Sequence, residues 1–122
     1  MRPDKNAPFH RRFGNAVSGI RRVSRREKSF RTQLALGVVG GSIAGWLRPG
    51  AAWVALFLLA SAMVLALELV NAALEEALDA LHPECHPSIG AAKDAAAGAV
   101  LVASLAALGM GALMILSVAA FG

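Results

Sequence analysis

From Phe9 to Arg26, apolar residues at Phe13, Val17, Ile20 and Val23 recur three or four apart among Arg11, Arg12, Arg21, Arg22, Arg25 and Arg26. That period predicts an amphipathic helix lying at a membrane surface, its arginines reaching up to phosphates. The same stripe would also suit packing on other protein. Three apolar runs follow, over 30–47, 51–81 and 93–121. A bilayer core takes about 20 residues at 1.5 Å each, so each run is read as a span. Arg48-Pro49-Gly50 closes the first as a tight turn, because proline removes a helix donor and glycine tolerates positive φ. Pro83 and Pro87 break the chain again after the second. The pattern therefore predicts an all-α integral membrane protein forming a single membrane domain, with an N-terminal amphipathic surface helix plus three transmembrane helices. Its parts are a loose tail over 1–8, an interfacial helix over 9–26, and a first span over 30–47. A second span with a cytoplasmic extension covers 51–81, a cytoplasmic loop 82–92 and a third span 93–121, whose helix begins around Ser88 to Ala92 before entering the membrane. Gly37, Gly41 and Gly45 form a ridge on which another helix could approach closely, and Ala95 to Ala99 around Gly98 invites the same.

Composition narrows the class. With 57% hydrophobic residues in 122, the chain is too apolar for an ordinary soluble domain and too short for more than one. The net charge of +4 is uneven, since ten of the twelve Lys and Arg lie between Arg2 and Arg31. Beside a membrane span such a block orients the protein and meets anionic headgroups rather than nucleic acid. It places the N-terminus in the cytoplasm, and three crossings then place the C-terminus outside a plasma membrane. A cleavable signal peptide is not expected, because about thirty polar and basic residues precede the first apolar run. Cys85 is the single cysteine and has no partner for an intramolecular disulfide.

Chemistry concentrates at the cytoplasmic end of the second span. At about 100° per residue, Asn71, Glu75 and Asp79 fall within roughly 60° of Glu68 on one helical face. Glu68 ends an uncharged run from Ala51 to Leu67, which puts it near the edge of the hydrocarbon. A carboxylate there is costly and rarely lacks a task or partner, although the end of an amphipathic helix leaving the membrane would look alike. Glu27, the only acid between Asp4 and Glu68, joins the same surface with Glu84, Lys93 and Asp94. Carboxylates with a lysine and an asparagine suit magnesium and phosphate: hard oxygens hold the metal, lysine adds point charge, and a carboxylate can take a proton from a hydroxyl. His82 and His86 stand at a metal-binding spacing, but the flanking prolines argue against the regular helix it needs. A small proton-coupled transporter is the alternative class. Such proteins place their acid near mid-bilayer, often with inverted repeats, whereas these acids gather at one end and no repeat is visible.

Glu68-x-x-Asn71-x-Ala73-x-Glu75-x-x-x-Asp79, followed by Ala92-Lys93-Asp94 and Ala96-Ala97-Gly98-Ala99-Val100-Leu101, resembles the signature of the small prokaryotic diacylglycerol kinases, a family that includes undecaprenol kinases. The likeness runs from about Phe13 to Ala120 and includes Gly19 and Glu27-x-x-Phe30-Arg31. It implies an ATP- and Mg²⁺-dependent lipid kinase forming homotrimers with shared active sites. By matching positions, Glu68 resembles the general base facing the lipid hydroxyl, and Glu27 and Glu75 resemble the metal-binding carboxylates that bridge to ATP. Asn71 resembles the polar residue of the active face, and Lys93 and Asp94 the nucleotide contacts. Glu84, Cys85 and His86 resemble the nucleotide-binding loop, and the resemblance adds Asn15 to the nucleotide-binding set. Ala72 stands where a small hydroxyl residue is usual, and Cys85 where a larger side chain is. The Ala-Lys-Asp-x-Ala-Ala-Gly-Ala-Val-Leu wording looks closer to undecaprenol kinases than to diacylglycerol kinases.

Overall fold

A computed structural model describes residues 6–121, with the backbone alone at Phe121. Residues 1–5 of the expected tail lie outside the described residues. Four helices follow in order: α1, Phe9–Arg26; α2, Lys28–Leu47; α3, Ala51–Leu81; and α4, Pro87–Phe121. No strand occurs among the described residues.

α1 and α2 are separated by one residue. Glu27 takes an extended conformation, φ −104° and ψ 108°, and serves as the C-cap of α1 and the N-cap of α2. Its N–H donates to Val23 O at 2.8 Å, and its carbonyl accepts from Arg31 N at 3.3 Å. The Arg31 guanidinium donates to the carbonyls of Ser24 and Arg25, both at 2.9 Å. A cation at the negative end of a helix satisfies carbonyls that the ladder leaves open. The corner is therefore fixed, and it sets the Glu27 side chain where α1, α2 and α3 meet. α2 ends at Arg48, in the left-handed region at φ 52° and ψ 58°, and Gly50 takes φ 110°. Pro49 between them cannot continue a helix.

A third helix is expected to begin around Ser88 to Ala92, and α4 begins just before that, at Pro87. Proline costs nothing at a first helical position, where its missing N–H would be unpaired in any case. The His86 ring completes the start, its Nδ1 accepting from Ser88 N at 3.1 Å.

α3 is the central helix, with α4 along one side, α2 against another and α1 touching both α2 and α3. Few side chains are buried. Ala44, Phe57 and Met114 form the inner cluster, with Trp53 and Val54 packed on it. The Phe57 ring lies on Gly40 of α2, where a Cβ would overlap it, and within 3.6 Å of the position a Cβ would take at Gly111 of α4. The close approach within the chain thus falls at Gly40. Of the predicted ridge, Gly37 lies near Ser61, whereas a Cβ at Gly41 or Gly45 would meet nothing within 4 Å. Leucines and valines along the outer faces of α2, α3 and α4 are exposed. α3 and α4 are each long and apolar enough to cross a membrane by length and composition.

Gly40→Ala should destabilise the fold by about 1–3 kcal/mol, because Phe57 must move out of a packed position. The thermal midpoint in detergent should fall, Phe57→Leu should restore part of it, and Gly41→Ala should leave it unchanged. A Gly40→Ala midpoint equal to wild type would contradict this packing.

Candidate functional site

Glu68 is buried at 5% exposure, the only polar residue among the described residues to be so enclosed. The Ser29 hydroxyl, one residue inside the start of α2, donates to Glu68 Oε2 at 3.0 Å. This bond orients the carboxyl, and its other oxygen accepts no hydrogen bond among the described residues. One turn outward, Asn71 Oδ1 is buried with no hydrogen-bond partner among the described residues. Buried acceptors are nearly always paired, so an orphan beside a buried carboxyl marks a place that a donor-bearing molecule would fill.

Further out on α3 the stripe opens into a cleft of about 80 Å³. Glu27 from the α1–α2 corner and Glu75, Glu76 and Asp79 from α3 line it, with Ala72 at its base and Arg22, Val23 and Arg26 from α1. Four carboxylates therefore share a pocket with two guanidinium groups. Glu76 is the one the arginines claim: Arg22 and Arg26 both pair with its Oε1, the latter at 3.3 Å. Glu27 and Glu75 carry no such ion pair among the described residues.

Asp79 belongs to this cleft and to a wider one of about 390 Å³ beyond it. The wider cleft is lined by His82 to Pro87, Ile89, Gly90 and Lys93. Lys93 Nζ reaches across from α4 to Asp79 Oδ1 at 2.5 Å, tying the two helices at the mouth. Glu84, Cys85 and His86 all face this cleft and are exposed. Because Nδ1 of His86 accepts the Ser88 N–H, the neutral ring carries its proton on Nε2. Asn15 and Asp94 lie elsewhere: both are exposed, and neither lines either cleft. Asp94 follows Lys93 directly, and neighbours on a helix point about 100° apart.

The site is thus a graded series of polar groups along one face of α3, in which Glu68 and Asn71 Oδ1 are enclosed in the protein and neither residue lines either cleft. A buried carboxyl sits at the apolar end, an acidic cleft two turns out, and a basic-acidic mouth beyond. Glu27 and Glu75 offer hard oxygen donors, and Mg²⁺ commonly takes one or two protein carboxylates together with water and substrate phosphates. Among the described residues no group of three or more His, Cys, Asp or Glu could hold an ion alone. The pair fits a cation arriving with phosphate, rather than one held in a cage of protein ligands. Sequence reasoning passed over Ser29 and Gln33; the available signal was two polar residues four apart at the start of an apolar run.

A family model described as prokaryotic diacylglycerol kinase matches residues 14–115, which takes in α1 from Gly14, both clefts and most of α4. The chain belongs to the prokaryotic diacylglycerol kinase family. It is 36% identical over 110 residues to an undecaprenol kinase of Bacillus subtilis, covering 88% of each chain. It is also 36% identical over 105 residues to a diacylglycerol kinase of Synechocystis sp., covering 85% of this chain and 60% of the relative. The chain therefore spans less than two thirds of the length of the Synechocystis kinase and most of the Bacillus one. The match with the family covers Glu27, Glu68, Asn71, Glu75 and Lys93 alike.

The paired arginines make Glu76 an anchor for α1, although it points about 80° away from Glu68 on the helix. Glu76→Gln should loosen α1 from α3, so a disulfide engineered between Val23→Cys and Ala72→Cys, which line the same cleft and leave both arginines in place, should form several-fold more slowly in its presence. An unchanged cross-linking rate would mean that the ion pairs do not hold α1.

Proposed function

We propose that this chain is a lipid kinase of the membrane, moving the γ-phosphoryl group of ATP to the hydroxyl of a membrane-embedded alcohol. The observation that carries the reading is the gradient along α3. Glu68 is enclosed at the end of an uncharged run where a lipid hydroxyl can arrive, and the acidic cleft and Lys93 lie outward, where a nucleotide must be. Family membership supports the same class of reaction.

In this reading the alcohol enters sideways from the bilayer and donates its hydroxyl proton to the carboxylate of Glu68. Its oxygen attacks the γ-phosphorus, the bond to the β-phosphate oxygen breaks, and ADP leaves through the outer mouth. Ser29 keeps Glu68 in one orientation, and the buried Asn71 Oδ1 offers a second acceptor beside the arriving hydroxyl. A general base so positioned contributes typically 10²–10⁴-fold. Glu27 and Glu75 would hold Mg²⁺, which when bound screens the phosphate charges. Lys93, steadied by Asp79, supplies positive charge to the phosphates, and the 82–87 segment walls the nucleotide. Asn15 and Asp94, which line neither cleft of one protomer, fit a homotrimer in which a neighbouring subunit completes each site.

The surface helix α1 and the three further helices support a multi-pass layout with the N-terminus and the site on the cytoplasmic side and the C-terminus outside. The acceptor is undecaprenol or diacylglycerol, and the wording around Lys93 favours the former.

Glu68→Gln keeps size and hydrogen bonding but removes the base, so kcat should fall by roughly 10²–10⁴ while KM for Mg·ATP stays within about a few fold. Glu75→Gln should instead raise the Mg²⁺ requirement and weaken ATP binding along with kcat. Steady-state kinetics with varied Mg²⁺ separate the two. Near-normal turnover of Glu68→Gln, or an unchanged Mg²⁺ requirement in Glu75→Gln, would overturn the assignment.

A further inference from the structure

Between α2, α3 and α4, on the apolar side of Glu68, lies a cavity of about 120 Å³. Its walls are apolar except for Gln33, Ser61 and Ser104. Gln33 Nε2 donates to Ser104 Oγ at 3.0 Å, which joins α2 to α4. That bond uses one of the two amide hydrogens of Gln33 and none of the hydroxyl hydrogen of Ser104. The Ser61 hydroxyl makes no hydrogen bond among the described residues. Three donors therefore line a small space inside an apolar bundle. A donor left without an acceptor in hydrocarbon is costly, so the cavity suits an occupant that is uncharged and rich in acceptor oxygens.

The depth of the cavity says which oxygens these are. Gln33 follows Ser29, the residue that holds Glu68, by four positions on α2; Val64, on the cavity wall, precedes Glu68 by four on α3. Four residues of helix rise about 6 Å. In a diacylglycerol the ester carbonyls lie a few bonds from the free hydroxyl, on the order of 5 Å. In a polyprenol the same atoms are hydrocarbon, with no acceptor to offer. Gly37, Phe57 and Ser61 also border an open apolar groove of about 540 Å³ on the α2–α3 face, which gives the chains of such a lipid a path to the bilayer.

We propose that Gln33, Ser61 and Ser104 form an ester-carbonyl subsite that selects a glycerolipid alcohol over a polyprenol. The proposal rests on the lipid-kinase reading of the site and departs from the preference that the wording around Lys93 gives. A site built to hydrogen-bond a substrate oxygen discriminates against the analogue without it, because its own buried groups are then left unpaired.

The test compares three acceptors with the full-length protein in mixed micelles and Mg·ATP: a diacylglycerol, the dialkyl ether analogue with the same chains, and a polyprenol. The ether keeps the alcohol and lacks only the carbonyl oxygens. Wild type should show a kcat/KM for the diacyl compound about tenfold or more above the ether and the polyprenol. Gln33→Leu with Ser104→Ala should shrink the diacyl-to-ether ratio to about threefold or less, and Ser61→Ala alone should lower it by a smaller factor. The single Ser61→Ala and Ser104→Ala changes carry the test if the double variant does not fold. Equal rates on diacyl and ether lipids, a preference for the polyprenol, or a ratio unmoved by the single variants would overturn the subsite. Turnover of none of the three lipids would overturn the lipid-kinase reading itself, and the subsite with it.

Discussion

The hydrogen bond from Ser29 to Glu68 joins the start of α2 to the middle of α3 at the level where an uncharged helix becomes a polar one. A carboxyl enclosed at that level is expensive unless something fixes and uses it. Its position dictates much of the rest. α1 passes into α2 through one extended residue, Glu27, and two positions later Ser29 reaches Glu68. The same corner delivers the Glu27 carboxylate to the cleft beside Glu75. One break in the helices therefore serves two parts of the site.

Electrostatics and packing divide the work along α3. Toward the apolar end, the fit is steric: Phe57 lies against Gly40 and Gly111, and few other side chains are fully buried. Much of the apolar surface of α2, α3 and α4 stays exposed on the single chain. Toward the polar end, charge pairs hold the elements, with Arg22 and Arg26 on Glu76 and Lys93 on Asp79. These pairs are largely exposed, so each adds modestly to stability. Their larger effect is positional. Glu76 occupies Arg22 and Arg26, the two arginines of the cleft, and leaves Glu27 and Glu75 as acidic neighbours there.

The all-helical class and the polar face of α3 were legible because they rest on local pattern. Proline and glycine at 49–50 end a helix wherever they stand, and Glu68, Asn71, Glu75 and Asp79 share a face by spacing alone. What escaped the sequence depends on partners far away in the chain. The spacing of Gly37, Gly41 and Gly45 marks a smooth face but cannot say that Phe57 meets Gly40. Arg22 and Glu76 are 54 residues apart, and nothing local signals their pairing. Asp94 reads as one unit with Lys93 in a motif, yet consecutive helical residues diverge, and only Lys93 reaches the mouth of the site. Pro87 reads as part of the break after α3, whereas it is the first residue of α4.

The central claim is that phosphate passes from a nucleotide in the outer clefts to a hydroxyl at the apolar end, where Glu68 waits. The most direct measurement incubates the purified protein with γ-labelled ATP, Mg²⁺ and a total membrane-lipid extract, and follows where the label goes. The account predicts label in a lipid phosphate monoester, formed in step with ADP. Label found solely in inorganic phosphate or on the protein itself, with ADP produced and no phosphorylated lipid, would contradict it.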